Sequence, residues 1–113
     1  MKKLYLGTNT KMYKTIKDTC EYLERFKALT AEIPKAVELF VIPSYTSLSR
    51  AGEILQDSRI RLGAQNMCWE DVGQFTGEIS PRMIRETGAQ IIEIGHSERR
   101  HVFRETDEEE NRK

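Results

Sequence analysis

Val37-Glu38-Leu39-Phe40-Val41-Ile42 is a nearly continuous apolar run that stops at Pro43, and Ser44 then precedes a helical pattern carrying Leu48, Ala51 and Leu55. A run this short and this apolar predicts a strand covered on both faces, then a short loop, then an amphipathic helix. The same unit recurs in both directions. Upstream, Lys3 to Gly7 reads as a strand, Thr8 to Lys14 as a polar loop, and Ile16, Cys20, Leu23 and Phe26 as one face of a helix. Downstream, Ile60 to Ala64 is a third strand, followed by a long segment from Gln65 to Glu78. Ser80 before Pro81 marks a helix start, and Gly88 can end that helix in the left-handed conformation. Gln90 to Ile94 supplies a fourth strand.

Each strand is separated from the next by a stretch long enough for a right-handed crossover, which implies a parallel sheet and the α/β class. Beyond the fourth strand, Thr106 and Glu109 have the spacing of a capping box, so a helix is expected to start near Asp107. Glu108 with Arg112 and Glu109 with Lys113 are spaced as i,i+4 charge pairs on it. No apolar side chain follows Phe103, and the sequence is expected to end inside an element. No linker or low-complexity segment interrupts residues 1–113, so no internal domain boundary is expected.

The composition is that of an ordinary soluble globular protein. Of 113 residues, 18 are Lys or Arg and 18 are Asp or Glu, a formal net charge of zero that argues against nucleic acid or a membrane surface as the principal partner. No apolar run approaches the roughly 20 residues needed to span a bilayer, and the first residues lack the features of a signal peptide, so a cytoplasmic location is expected. Cys20 and Cys68 lie far apart without metal-ligand spacing, which predicts free thiols and no metal site.

In parallel α/β folds the loops after the carboxyl ends of the strands carry the chemistry. Two of these loops stand out. Asn9 and Lys11 flank Thr10 directly after strand one, where an extended chain places the amide and the ammonium on one side, able to converge on an anion. Read from spacing alone, the same tripeptide is also an ordinary solvated turn. Gly95-His96-Ser97-Glu98-Arg99-Arg100 follows the fourth strand at once, placing His96 where strand-end catalytic residues sit. Two readings are open for His96: carbonyl polarisation by an imidazole kept neutral at a helix start, or a plain cap on that turn. Glu98 can pair with Lys11 across the strand ends, and Arg99 and Arg100 with Glu78, Glu105 or Asp107; His101 is expected on the surface. Glu93 is a carboxylate inside the apolar strand Ile91-Ile92-Glu93-Ile94; if His96 points into the site, alternation sends Glu93 toward the helix layer in a structural role. Trp69 and Phe75 either pack beneath the turns of the long third loop or anchor a partner.

Four motifs in order carry a family resemblance. Thr8-Asn9-Thr10-Lys11-Met12, Gly63-Ala64-Gln65-Asn66, Phe75-Thr76-Gly77-Glu78-Ile79-Ser80, and Ile94-Gly95-His96-Ser97-Glu98-Arg99-Arg100 with Glu105-Thr106-Asp107 resemble triosephosphate isomerase from the first strand to the last residue. The resemblance implies a parallel (β/α)₈ TIM barrel, of which residues 1–113 would be the N-terminal half, its first four βα units. It implies interconversion of dihydroxyacetone phosphate and glyceraldehyde 3-phosphate through an enediolate, with no metal or organic cofactor. Asn9 and Lys11 would bind the phosphorylated sugar, His96 would be the electrophile, Glu98 and Ser97 would support them, and Gln65 and Asn66 would brace the site. The loop with Phe75, Thr76 and Gly77 would enter a second copy in a homodimer.

The chain also departs from the family. Thr10 stands where the family has Trp, Tyr13 where it has Asn, and Glu93 where it has an apolar strand residue. These differences fit a branch acting on a related sugar phosphate such as a tetrose phosphate. The general-base glutamate and its lid belong to the sixth unit of such a barrel, and the phosphate-cradling loops to the seventh and eighth, none of which lies in these residues. The chain alone is therefore expected to be inactive. The rival reading is a non-catalytic half-barrel that associates or binds phosphosugars; a doubly wound phosphate-binding domain is disfavoured because no glycine-rich loop follows strand one.

Overall fold

The computed structural model describes residues 2–113. Four parallel strands, β1 (Leu4–Asn9), β2 (Val37–Ile42), β3 (Arg61–Ala64) and β4 (Ile91–Ile92), lie in the order β1-β2-β3-β4. They alternate with helices α1 (Ile16–Thr30), α2 (Tyr45–Leu55) and α3 (Pro81–Glu86); α4 (Ser97–His101) and α5 (Asp107–Arg112) follow β4. Sequential order with parallel pairing gives a curled half-barrel, the first βα units of a TIM barrel.

The decisive stretch behaves as its composition dictates. Leu39, Val41 and Ile42 of β2 are buried, and Leu39 and Val41 meet Leu23 of α1, Leu48, Ala51 and Leu55 of α2, Leu62 of β3 and Ile84 of α3 in one core. The α1 stripe runs through Thr19, Leu23 and Thr30, with Phe26 packed against the core, while Ile16 in the first turn is exposed. Thr15 and Asp18 close a capping box at the start of α1, and the hydroxyl of Ser80 accepts from Met83 N at the start of α3. Ser44 is the N-cap of α2 through its backbone, without a side-chain cap bond. Gly88 ends α3 at φ +91°, a conformation that side chains other than glycine's adopt at a cost.

Strand boundaries differ from expectation in a common way. β1 continues through Thr8 and Asn9, which pair with Val41 and Ile42, because backbone pairing does not require apolar side chains. In β4 the regular ladder covers only Ile91 and Ile92, although Gln90 N donates to Leu62 O and Glu93 N to Ala64 O on either side. β1 and β4 are the free edges, and Leu4, Tyr5 and Leu6 of β1 are each more than half exposed. Among the described residues no helix is long and apolar enough to cross a membrane, and Cys20 and Cys68 are both free.

The last helix corrects the charge pairs expected on it. The Thr106–Glu109 capping box forms, which occupies the Glu109 carboxylate, and Lys113 instead pairs with buried Glu105 and donates to Asn66 Oδ1 at 2.9 Å. Arg112 lies over the Trp69 ring, 4.4 Å from its centroid, not beside Glu108. The inward side of α5 is thus polar. Burial raises Glu105, but hydrogen bonds from Lys113 and Arg99 outweigh it and hold its carboxyl below the usual range. Glu110 has no such donor: both its oxygens are buried without a hydrogen-bond partner, and burial, followed by the Glu105 carboxylate, pushes it upward. A carboxyl raised in the folded state favours folding fully only below its unfolded value, and that contribution is lost as pH rises through the folded value. At neutral pH Glu110 therefore costs stability. Glu110→Gln is expected to raise the thermal midpoint at pH 7, and the gain should vanish below the ordinary glutamate value of 4.5 when melting curves are compared across pH.

Candidate active site

Three elements meet at the carboxyl ends of the strands. Asn9 is the last residue of β1, and Lys11, two residues on, takes the left-handed conformation at φ +52°. That conformation is uncommon for a residue with a side chain, and here Lys11 N donates to Asn9 Oδ1 at 2.7 Å to close the turn. Gln65, the first residue after β3, braces the same turn: its Nε2 donates to Asn9 Oδ1 at 3.2 Å and to Lys11 O at 2.9 Å.

From the other side comes the segment after β4. Gly95 sits at φ +72°, a conformation that favours glycine, and a Cβ there would lie 2.9 Å from Arg100 Nη2 and 3.0 Å from Glu110 Oε2, so the ends of those two side chains would have to move aside. His96 is the N-cap of α4, its Nδ1 accepting from Glu98 N at 3.1 Å. The two readings left open for His96 are thus compatible. A ring nitrogen that accepts a backbone N–H carries no proton, so the single ring proton resides on Nε2. The Glu98 carboxylate is 3.5 Å from the same Nδ1, but the backbone contact is shorter and that carboxylate is engaged by Lys11.

Lys11 Nζ meets Glu98 Oε1 at 2.6 Å. The hydrogen bond from Lys11 holds Glu98 below the usual carboxylate range, and the same bond raises Lys11, so both stay ionised around neutrality. Both side chains are about half exposed, and such a pair contributes orientation more than stability. The ammonium is positioned yet open to an incoming anion.

Other expected residues fall outside this cluster. Asn66 is buried, and its side chain accepts from Lys113, away from Asn9 and His96, while its backbone oxygen accepts from Tyr45 Oη at 2.5 Å. Burial pushes the Tyr45 hydroxyl well above its ordinary pKa. Ser97 is exposed at the start of α4, and its hydroxyl has no hydrogen-bond partner among the described residues. Arg99 pairs with Glu105 at 2.7 Å and Arg100 with Asp107 at 2.5 Å, and His101 is exposed. In the long third loop Trp69 and Phe75 stack edge to face with centroids 6.1 Å apart, and Thr76 and Gly77 form an exposed turn closed by Glu78 N to Phe75 O at 2.9 Å.

One residue lies where alternation did not put it. Glu93 does not face the helix layer: its Oε2 accepts from Asn9 Nδ2 at 2.5 Å and its Oε1 is 4.0 Å from His96 Nε2. Ile92 packs toward the core instead, and Ile94 is partly exposed. The left-handed turn at Gly95 breaks the two-residue period of the strand, so that Glu93 and His96 face the same side. The legible signal was the carboxylate itself, in a strand otherwise made of isoleucine.

The arrangement combines an open ammonium, an amide and an imidazole N–H at the ends of parallel strands. Comparison with known proteins shows the family. The sequence model of the triosephosphate isomerase family matches residues 4–113. A triosephosphate isomerase of Aquifex aeolicus is 47% identical over 103 residues, covering 91% of this chain and 41% of that protein. An L-erythrulose-1-phosphate isomerase of Rhizobium etli is 43% identical over 105 residues, covering 93% and 39%. A triosephosphate isomerase of Dictyoglomus turgidum is 42% identical over 113 residues, covering 100% and 45%. The chain thus spans about two fifths of the length of these relatives. With the family match across nearly all of its residues and the strand-end cluster in place, the chain belongs to the triosephosphate isomerase family.

Proposed function

We propose that these residues form the N-terminal half of an aldose–ketose isomerase acting on a small phosphorylated sugar, with the general base supplied by barrel units beyond residue 113. The observation that carries this reading is the hydrogen bond from Glu98 N to His96 Nδ1, which assigns the ring proton to Nε2 and leaves Nε2–H as a donor toward the space beside Asn9. Removal of a carbon-bound proton next to a carbonyl drives the electron pair onto the carbonyl oxygen, giving an enediolate. A fixed N–H aimed at that oxygen stabilises the developing charge more than the starting ketone, which is how such a donor accelerates the step. Lys11 adds a positive charge for the phosphate and the oxyanion, and Asn9 a neutral amide.

Dihydroxyacetone phosphate and glyceraldehyde 3-phosphate are the first substrate pair. A tetrose phosphate is the second reading, supported by the relatives named L-erythrulose-1-phosphate isomerase and by Thr10, Tyr13 and Glu93 in place of the family's usual residues. Initial rates of the full-length protein on triose and tetrose phosphates test both: a kcat/KM at least tenfold higher for one of them assigns the substrate, and turnover of neither contradicts the reading. The exposed Phe75-Thr76-Gly77 turn, on a base stiffened by Trp69, is of a form suited to enter a second copy, and a homodimer is part of the proposal.

A further inference from the structure

We propose that Glu93 is a positioning residue for the Asn9–Lys11 clamp, an inference that rests on the phosphosugar reading of the site and extends it to a residue where the family resemblance leads one to expect an apolar side chain. A carboxylate at this position works against anion binding by simple Coulomb repulsion. What it supplies in exchange is visible in the hydrogen bonds. Asn9 can present its amide in two orientations of nearly equal shape, and only one places Oδ1 toward Lys11 N and Gln65 Nε2. A carboxylate is purely an acceptor, so the bond from Asn9 Nδ2 to Glu93 Oε2 at 2.5 Å selects that orientation and opposes the flipped one, which would set oxygen against oxygen.

The consequence reaches Lys11 through its backbone. Its left-handed φ of +52° is held by the bond to Asn9 Oδ1, and that conformation directs the ammonium to Glu98 Oε1. The chain of contacts therefore runs from Glu93 to the Asn9 amide, to the Lys11 turn, to the ammonium that meets the phosphate. Glu93 Oε1 has no hydrogen-bond donor and stands 4.0 Å from His96 Nε2, too far for a bond, so Asn9 is the only hydrogen-bonded partner of Glu93 through its side chain among the described residues.

A double-mutant cycle in the full-length protein tests this, with Glu93→Ala, Asn9→Ala and the pair, read as KM and kcat for the better substrate. Glu93→Ala is expected to raise KM about tenfold, the size of a lost hydrogen bond to a charged group, with kcat changed less than about threefold. In the Asn9→Ala background the same change should move KM by less than about twofold, because the group it acts through is gone. Glu93→Gln keeps an acceptor oxygen and should return KM to within about threefold of the parent. A Glu93→Ala protein with unchanged KM, an equal penalty in both backgrounds, or a Gln variant no better than Ala would each overturn the proposal. Should Glu93→Ala fold poorly, Glu93→Leu, which keeps the volume, takes its place in the cycle. If the parent protein turns over neither substrate, the isomerase reading fails separately, and the cycle is read as the Kd for dihydroxyacetone phosphate by calorimetry; absence of binding to the parent overturns this proposal too.

Discussion

Replacing His96 by Asn in the full-length protein is expected to lower kcat/KM by about 10²- to 10³-fold, the cost of losing one donor aimed at a developing oxyanion. The substitution is chosen for what it keeps. Asn is a good N-cap, and its Oδ1 can accept from Glu98 N as His96 Nδ1 does, so α4 retains its first-turn bond while the Nε2–H proposed to reach the substrate is gone. The melting temperature should therefore stay close to that of the parent. His96→Ala removes cap and donor together, and about 1 kcal/mol of stability should be lost on top of the same kinetic defect. A His96→Asn protein within tenfold of parental kcat/KM, measured in a coupled isomerase assay, would show that the imidazole is a cap and nothing more.

The second large effect concerns residues 1–113 on their own. A missing general base costs about 10² to 10⁴ in rate. The phosphate-binding loops of the later units would be missing with it, so turnover should fall at least four orders of magnitude below that of the complete enzyme, to the uncatalysed background. Free edges at β1 and β4, with Leu4, Tyr5 and Leu6 more than half exposed, should also drive self-association, visible by size-exclusion chromatography and light scattering. Isomerase turnover within a hundredfold of the complete enzyme from a purified 113-residue chain would contradict the assignment of the base to later units.

Much of this architecture was legible because local and tertiary preferences coincide. The apolar run of β2 ending at Pro43, the Ser80-Pro81 start of α3, Gly88 at its end and the Thr106–Glu109 box each state their structure in a few residues, and packing has no reason to override them. The pairing of Lys11 with Glu98 was legible for a different reason: parallel topology brings the ends of β1 and β4 to one rim, and only a few charges are there to meet. Glu93 was misplaced because strand alternation was carried through Gly95, and a single left-handed residue reverses the parity of all that follows. The pairs expected on α5 failed for a related reason. Helical spacing says which side chains can meet, but Glu109 is taken by the cap, Arg112 by the Trp69 ring and Lys113 by Glu105, all contacts set by neighbours that spacing along one helix does not reveal. Asn66 follows Gln65 directly, yet the two side chains serve different clusters, since successive residues leaving a strand face opposite ways.

Isomerisation in D₂O, followed by proton NMR with the full-length protein and either dihydroxyacetone phosphate or L-erythrulose 1-phosphate, tests the central claim most directly. An enediolate formed beside Lys11 and His96 would take its new carbon-bound proton from a base that exchanges with solvent, so the product should carry deuterium at the carbon that is reprotonated, the carbonyl carbon of the ketose, and His96→Asn should slow its appearance by the factor given above. Product formed with no solvent deuterium, or no product from either sugar phosphate, would contradict it.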